Sequence, residues 1–173
     1  MANLGFGKDV RFEKFLGNKN IPFTYYNKQS LEIGNCKIYI LSNINEVKVF
    51  NLSSNNTSGI LKIIYGSTSF LFTGDAEKRV ENILINNYQS FLDVDVLKVG
   101  HHGSKTSSSD ELLQYTSPQY ALISSGIKNK FAHPYQNVIS KFKSNDIKIL
   151  RTDKNGAVLI VSDGEQIFAE NWK

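Results

Sequence analysis

The stretch DVLKVGHHGSKTSSS, residues 95–109, places two of the three histidines of the chain side by side. It opens with an apolar run that predicts a strand, and it leads into DELLQYT, residues 110–116, which predicts a helix. Gly100 and Gly103 bound the histidine pair. This strand-loop-helix unit admits three interpretations: a phosphate-binding loop, a metal site, or an ordinary turn.

A phosphate-binding loop is the first interpretation to test, because GHHGSKT contains glycine, lysine and threonine between a strand and a helix. The Walker pattern has four residues between its glycines and a lysine directly after the second one. Here only two residues separate Gly100 from Gly103, and Ser104 precedes the lysine. The spacing therefore argues against nucleotide binding through this loop.

An ordinary turn explains the same residues without any chemistry. Gly103 permits a sharp change of direction. Ser108 and Glu111 match the spacing of a capping box at the start of a helix. In this interpretation the two histidines are solvated loop residues.

The sequence on both sides of this unit predicts layered α/β structure. ILKIIYG and TSFLFTG, separated by the turn signal Gly66-Ser67, predict a hairpin, and DAEKRVENILINNY then carries apolar residues at helical spacing. Strands and helices alternate after it, and a second hairpin turns at Asp163-Gly164. The other predicted segments are a short helix in RFEKFLGNKN, strands in SLEIG, CKIYILS and VKVFNL, and a helix that opens at Pro134.

A metal site is favoured by the positions of three polar clusters. Asp75 ends the second strand of the first hairpin, His101 and His102 follow the next strand, and His133 follows the strand YALISS. In a layered α/β fold, the loops at the carboxyl ends of neighbouring strands meet at one edge. A carboxylate and imidazoles at that edge suit zinc or a similar ion, which supplies hydroxide at neutral pH for hydrolysis of a phosphoester, ester or amide.

Composition sets the broad class of protein. The 173 residues suit a single domain, residues 1–173. Lysine and arginine exceed acidic residues by 20 to 16, but the sequence shows no basic arm and no ladder of aromatic and basic residues specific for single strands. Cys36 is the single cysteine, and no apolar run approaches the roughly 18 residues of a membrane span. We expect a cytoplasmic protein that does not insert into a membrane.

Five blocks of the sequence, in this order and spacing, resemble the carboxyl half of the metallo-β-lactamase-like domain of the ComEC family of DNA-uptake competence proteins. The blocks are FLFTGDAEKRVENIL, DVDVLKVGHHGSKTSSSDELL, PQYALISSG, NKFAHP and ILRTDKNGAV. The resemblance runs from about Asn55 to the end of the chain, whereas residues 1–50 are poorly matched. It implies a metallo-β-lactamase-like αββα sandwich, incomplete here, with one or two ions of zinc or manganese at its edge.

The resemblance also assigns roles to individual residues. Asp75, in TGD, matches the aspartate that bridges two metals. The HHGS pair matches the histidine-bearing loop, and we assign His101 to the metal and His102 to the leaving group, although the sequence holds no geometry that decides between them. His133 is implied as a terminal metal ligand or a phosphate contact. The polar residues that the resemblance places around the substrate cleft are Ser104, Lys105, Ser125 and Asn129.

One part of the family pattern is absent from the sequence. A His-x-His-x-Asp-His segment, or a competence-family version with Asp in the second place, should precede TGD, yet no histidine precedes His101. One hypothesis is a metal-dependent hydrolase, a phosphodiesterase or nuclease acting on DNA by analogy with the family, whose missing ligands come from a separate polypeptide carrying the amino half or from a longer gene. The other hypothesis is an inactive remnant or binding module that retains the fold.

Because the amino half of the sandwich is missing from the family pattern, we also expect one face of the sheet to be uncovered. A half-sandwich leaves contiguous apolar area that needs a partner or a cover. The segment VRFEKFLGNKNIPFTYY, residues 10–26, carries five aromatic residues and is the candidate cover.

Overall fold

The computed structural model describes residues 10–22, 29–42 and 55–171. Its helices are α1 (Val10–Asn18), α2 (Lys78–Tyr88), α3 (Asp110–Thr116), α4 (Gln136–Ser144) and the single turn α5 (Thr152–Asn155). Its strands are β1 (Gln29–Ile33), β2 (Cys36–Ile40), β3 (Leu61–Tyr65), β4 (Thr68–Phe72), β5 (Val96–Lys98), β6 (Tyr120–Ile123), β7 (Lys148–Arg151), β8 (Val158–Ser162) and β9 (Ile167–Asn171). The predicted strand VKVFNL, residues 47–52, lies outside the described residues.

Seven strands form one mixed sheet in the order of the chain, from β1 to β7. The strands β1 to β4 pair antiparallel, and β4 to β7 pair parallel. The helices α2, α3 and α4 connect the parallel strands. Because such crossovers are right-handed and each new strand is added on the same side, all three helices lie on one face of the sheet. The predicted alternation of strands and helices is confirmed.

The core lies between this face and the three helices. Leu71, Leu97 and Ala121 are paired in register across β4, β5 and β6, and all three are fully buried. The helices meet them with apolar residues at helical spacing: Val80, Leu84 and Ile85 on α2, Leu112 and Leu113 on α3, and Val138, Ile139 and Phe142 on α4. This layer fixes the positions of the loops that follow β4, β5 and β6.

The opposite face of the sheet is apolar and only partly covered. Because side chains alternate along a strand, it carries Phe70, Phe72, Leu61, Ile63 and Leu122, which are all partly buried. In the described part of the chain, the second layer is the two-stranded sheet of β8 and β9.

The β8–β9 hairpin is attached at the turn between β3 and β4. The amide of Ser67 donates to the carbonyl of Gly164 at 2.7 Å, and the hydroxyls of Thr68 and Ser162 are hydrogen-bonded at 2.6 Å. Both predicted hairpins are therefore confirmed.

The predicted cover of the open face is described in part. In α1, Leu16 is buried whereas Phe15 is about half exposed. The aromatic residues at positions 23–26 lie outside the described residues. Covering of the apolar face by this segment stays a prediction.

The start of α3 corrects the predicted capping box. Ser108 has a left-handed backbone with φ of 56°, and the N-cap is Ser109, whose hydroxyl accepts from the amide of Leu112 at 3.2 Å. An N-cap residue needs an extended backbone, which Ser109 has and Ser108 lacks. The pairing of Ser108 with Glu111 was therefore wrong.

The acidic partner at this helix start comes from α2 instead. Glu81 is 1% exposed, and its carboxylate accepts from the backbone amides of Ser108 and of Ser109, the latter at 2.9 Å. Burial raises the pKa of Glu81, and these two amide donors oppose the rise. Glu81 thereby holds the end of the HHGS loop against α2.

Replacing Glu81 by alanine should lower the free energy of unfolding by about 2–4 kcal/mol, because two buried amides lose their acceptor. The matched control is Glu111→Ala, an exposed acidic residue in the first turn of α3, which should change stability by no more than about 0.5 kcal/mol. Urea denaturation measures both, and equal effects would contradict the assigned role.

Candidate metal centre

The HHGS loop is a tight turn with an unusual backbone. It covers Gly100–Gly103, shortly after β5, and its backbone is not helical, because His101 and His102 both have left-handed φ values, of 47° and 56°. Two consecutive non-glycine residues in this conformation cost energy, roughly 1–2 kcal/mol each, that the surrounding structure must supply. This backbone conformation directs the two imidazoles to the edge of the sheet.

Backbone hydrogen bonds join three loops at this edge. The amide of His101 donates to the carbonyl of Gly74, in the TGD loop, at 3.0 Å. The amide of Tyr135, just after His133, donates to the carbonyl of Gly103, also at 3.0 Å. The loops that follow β4, β5 and β6 therefore meet as the sequence predicted, because parallel strands end at the same edge.

The side chains of the predicted site residues lie together. The ring centroids of His101 and His133 are 5.5 Å apart, those of His101 and His102 are 6.1 Å apart, and those of His102 and His133 are 6.4 Å apart. A carboxylate oxygen of Asp75 lies 3.7 Å from Nε2 of His102. All three histidines of the chain are thus in one cluster with the aspartate.

The hydrogen bonding of His102 leaves two acceptors facing each other. Its Nδ1 lies 2.8 Å from the carbonyl oxygen of Ser124. A carbonyl can only accept, so Nδ1 donates. In the neutral ring Nε2 then carries a lone pair, and it faces the Asp75 carboxylate. A proton on Nε2 or a cation between the two atoms satisfies this arrangement.

His101 provides a second open nitrogen. Its Nδ1 is buried and has no hydrogen-bond partner among the described residues. A buried polar atom without a partner is costly, and in native structures it commonly marks a bound ion, a water or a catalytic role. The donor chemistry here, imidazole with carboxylate, suits zinc or a similar ion.

The donors do not by themselves complete a metal site. Within residues 10–22, 29–42 and 55–171, no three His, Cys, Asp or Glu side chains converge closely enough to hold a metal ion. If a metal binds at this edge, further ligands must therefore join these four donors.

His133 is fixed by two residues that were predicted to bind substrate. The side-chain amide of Asn129 donates to the carbonyl oxygen of His133 at 2.6 Å, and its oxygen accepts from the His133 amide at 3.0 Å. The hydroxyl of Ser125 donates to the same carbonyl at 2.8 Å. Burial lowers the pKa of His133, the nearby His101 and His102 lower it further, and Asp75 opposes them. Substrate binding by Ser125 and Asn129 stays a prediction.

The other two predicted substrate residues lie in the HHGS loop. Ser104 is buried, and its hydroxyl is hydrogen-bonded to that of Thr106 at 3.1 Å. Lys105 is exposed, with its ammonium 5.8 Å from the centroid of the Tyr135 ring. Lys105 is therefore the more accessible of the two for a substrate.

Two residues at the site escaped the sequence-based prediction. The hydroxyl of Ser58 accepts from the amide of Asp75 at 2.9 Å and so orients the TGD loop. Lys98 ends β5, and burial lowers its pKa while the charge of Asp75 opposes that change. A lysine inside the apolar run VLKV was a usable signal for Lys98, whereas the loop position of Ser58 gave none.

Part of this chain matches the profile of a known protein superfamily. Residues 45–126 match the profile of the metallo-beta-lactamase superfamily. The matched region, which is slightly less than half of the chain, includes Asp75, His101 and His102. A solved structure, the CmlA beta-hydroxylase E377D mutant, is similar with a TM-score of 0.49 at 11% identity, over 78% of this chain and 34% of that one.

Several proteins are similar in sequence to part of this chain. ComE operon protein 3 of Bacillus subtilis is 42% identical over 106 residues, or 61% of this chain and 14% of that protein. Competence protein ComA of Neisseria gonorrhoeae is 41% identical over 62% of this chain and 16% of that protein. Recombination protein 2 of Haemophilus influenzae is 36% identical over 65% of this chain and 14% of that protein. The chain thus spans a small part of the length of these relatives.

No helix in the described ranges is both long and apolar enough to cross a membrane.

Gly103→Ala should disrupt the site. An added Cβ would lie 2.5 Å from Cβ of Pro134, at a backbone φ of +81°. Strain and overlap together should cost about 2–4 kcal/mol and should shift the histidine ring signals in NMR spectra. The control is Gly34→Ala, with φ of +57° and open space around the new Cβ, which should cost about 1 kcal/mol without moving those signals. Unchanged histidine signals in Gly103→Ala would contradict the close contact of the two loops.

Proposed function

We propose that this chain supplies the carboxyl half of a metal-dependent hydrolytic site that cleaves phosphodiester bonds in DNA, with zinc or manganese as the metal. The remaining ligands come from residues outside this chain. The observation that carries the proposal is the cluster at this edge, where a carboxylate oxygen of Asp75 lies 3.7 Å from Nε2 of His102. The ring of His101, whose buried Nδ1 lacks a partner among the described residues, lies 5.5 Å from that of His133. The competence and recombination names of the relatives support DNA as the substrate.

The residues of the proposed site have different roles. Asp75, His101 and His133 present oxygen and nitrogen atoms at the sheet edge. His102 has its Nδ1 occupied by the Ser124 carbonyl, so Nε2 is the atom available to hold or deliver a proton near a leaving group. A bound zinc or manganese ion would supply hydroxide at neutral pH. Burial lowers the pKa of Lys98, and the charge of Asp75 opposes that change.

A second candidate function is a binding module that performs no reaction. The observation that favours it is the lack of any closed group of three metal-ligating side chains in the described ranges. Such a module would retain the sheet edge and its loops as a surface. The two candidates differ in whether a metal binds and in whether hydrolysis appears when the missing ligands are supplied.

Zinc added to the purified chain should shift the ring signals of all three histidines, because the cluster contains every histidine of the sequence. Asp75→Asn should weaken this binding by about tenfold or more, since a ligand carboxylate is lost. Asp163→Asn, at the exposed hairpin turn, is the control and should bind zinc like the unmodified chain. NMR titration measures the affinities, and an absence of any histidine shift would rule out a metal half-site.

Hydrolysis should appear only when the missing segment is supplied. The part of the Bacillus subtilis relative that precedes its aligned region can be added as a separate polypeptide, with manganese or zinc present. We expect cleavage of bis(p-nitrophenyl) phosphate by the mixture, no cleavage by either polypeptide alone, and loss of cleavage with Asp75→Ala in this chain. A mixture that forms a complex and binds metal without cleaving the ester would favour the binding module.

A further inference from the structure

A row of aromatic rings leads away from the histidine cluster. The rings of Phe131 and His133 are stacked, with centroids 5.7 Å apart and an interplanar angle of 24°. His133 in turn stacks with His102, at 6.4 Å and 22°. The Tyr135 ring lies 5.4 Å from His133 on the same loop. The row therefore connects an outer ring, Phe131, to the imidazole beside Asp75.

The outer end of this row is exposed to solvent. Phe131 is 59% exposed, and its neighbour Ile127 is 76% exposed. Burying large apolar side chains is favourable, so the two exposed on this loop offer apolar surface to a ligand beside a polar site. The internal hydrogen bonds of Asn129, to the amides of Phe131 and His133, hold the loop in this shape.

Lysine side chains lie close to these rings. The Lys130 ammonium lies 4.9 Å from the centroid of Phe131, and the Lys105 ammonium lies 5.8 Å from that of Tyr135. Lys128 is exposed on the same loop. Neither the segment 100–109 nor the segment 124–135 contains an acidic residue. Both loops are thus locally cationic around the rings.

We propose that Phe131, with Lys105 and Lys130, forms a stacking subsite for an unpaired base of single-stranded nucleic acid, next to the histidine cluster. Every base has an aromatic face that can stack on a ring, and lysines can contact the phosphates on either side. The row Phe131–His133–His102 then leads the backbone of the strand toward Asp75. This inference rests on the proposed function and adds to it that the substrate enters as an unpaired strand.

Binding is measured without metal, so that it does not depend on hydrolysis. Fluorescence anisotropy in EDTA at low salt, with a labelled oligothymidylate, gives the affinity of the unmodified chain. Phe131→Ala should weaken binding by about fivefold to a hundredfold, the range that stacking on one aromatic ring gives. The control is Phe168→Ala, another exposed phenylalanine, which follows the hairpin turn at the opposite edge of the sheet and should leave the affinity unchanged.

Two further comparisons use the same assay. An abasic oligonucleotide of equal length and charge should bind the unmodified chain as weakly as oligothymidylate binds Phe131→Ala, because it lacks the stacking bases. Lys105→Gln and Lys130→Gln should each reduce the slope of log affinity against log salt by about 0.7, the value for one phosphate contact on a single strand.

Equal affinity for the abasic strand and oligothymidylate would overturn the proposal, as would a Phe131→Ala variant that binds like Phe168→Ala. Absence of binding to any oligonucleotide would also overturn it, while the zinc titration would still report on the metal half-site. Conversely, stacking-dependent binding by a chain that takes up no zinc would support the subsite and refute the proposed hydrolysis.

Discussion

The hydrogen bond from the His101 amide to the Gly74 carbonyl is the contact on which the site depends. It joins the loop after β4 to the loop after β5, and so brings the Asp75 carboxylate within reach of the imidazoles. The parallel pairing of β4 and β5 sets the distance between the loops, and the left-handed backbone of His101 and His102 sets the direction of the rings. Glycines at positions 74, 100 and 103 leave no Cβ in these contacts; one added at Gly74 would lie 2.5 Å from Cβ of Ser58.

The two faces of the sheet have different consequences. On one face, three helices bury a complete core, so the loops of the site are supported from behind. On the other face, the apolar side chains of β3, β4 and β6 are partly buried. The helix-covered face is therefore the one that supports the site.

Local patterns were enough to predict most of the fold. The turn signals Gly66-Ser67 and Asp163-Gly164 predicted two hairpins. The helical spacing of Val80, Ile83 and Leu84 predicted α2. Both kinds of signal are local, because turn chemistry and periodicity act over a few residues. The convergence of Asp75 with the histidines was also predictable, since it follows from parallel pairing.

Features that depend on loop conformation could not be predicted from such local patterns. The capping box failed because Ser108 adopts a left-handed backbone that its sequence does not signal, and the carboxylate that binds this loop comes from Glu81, 27 residues earlier. Similarly, no linear ladder of aromatic and basic residues exists, yet folding places the rings of Phe131 and Tyr135 near His133 and the Lys105 ammonium near Tyr135.

The central claim is that Asp75 and the histidine cluster supply part of the ligand set of one cation. X-ray absorption at the zinc edge of the zinc-loaded chain tests it most directly, because imidazole rings give a distinctive scattering pattern that allows them to be counted. The account predicts a shell of nitrogen and oxygen that includes at least two imidazoles, with the remaining positions held by water. A shell of oxygen atoms alone, without imidazole scattering, would contradict it.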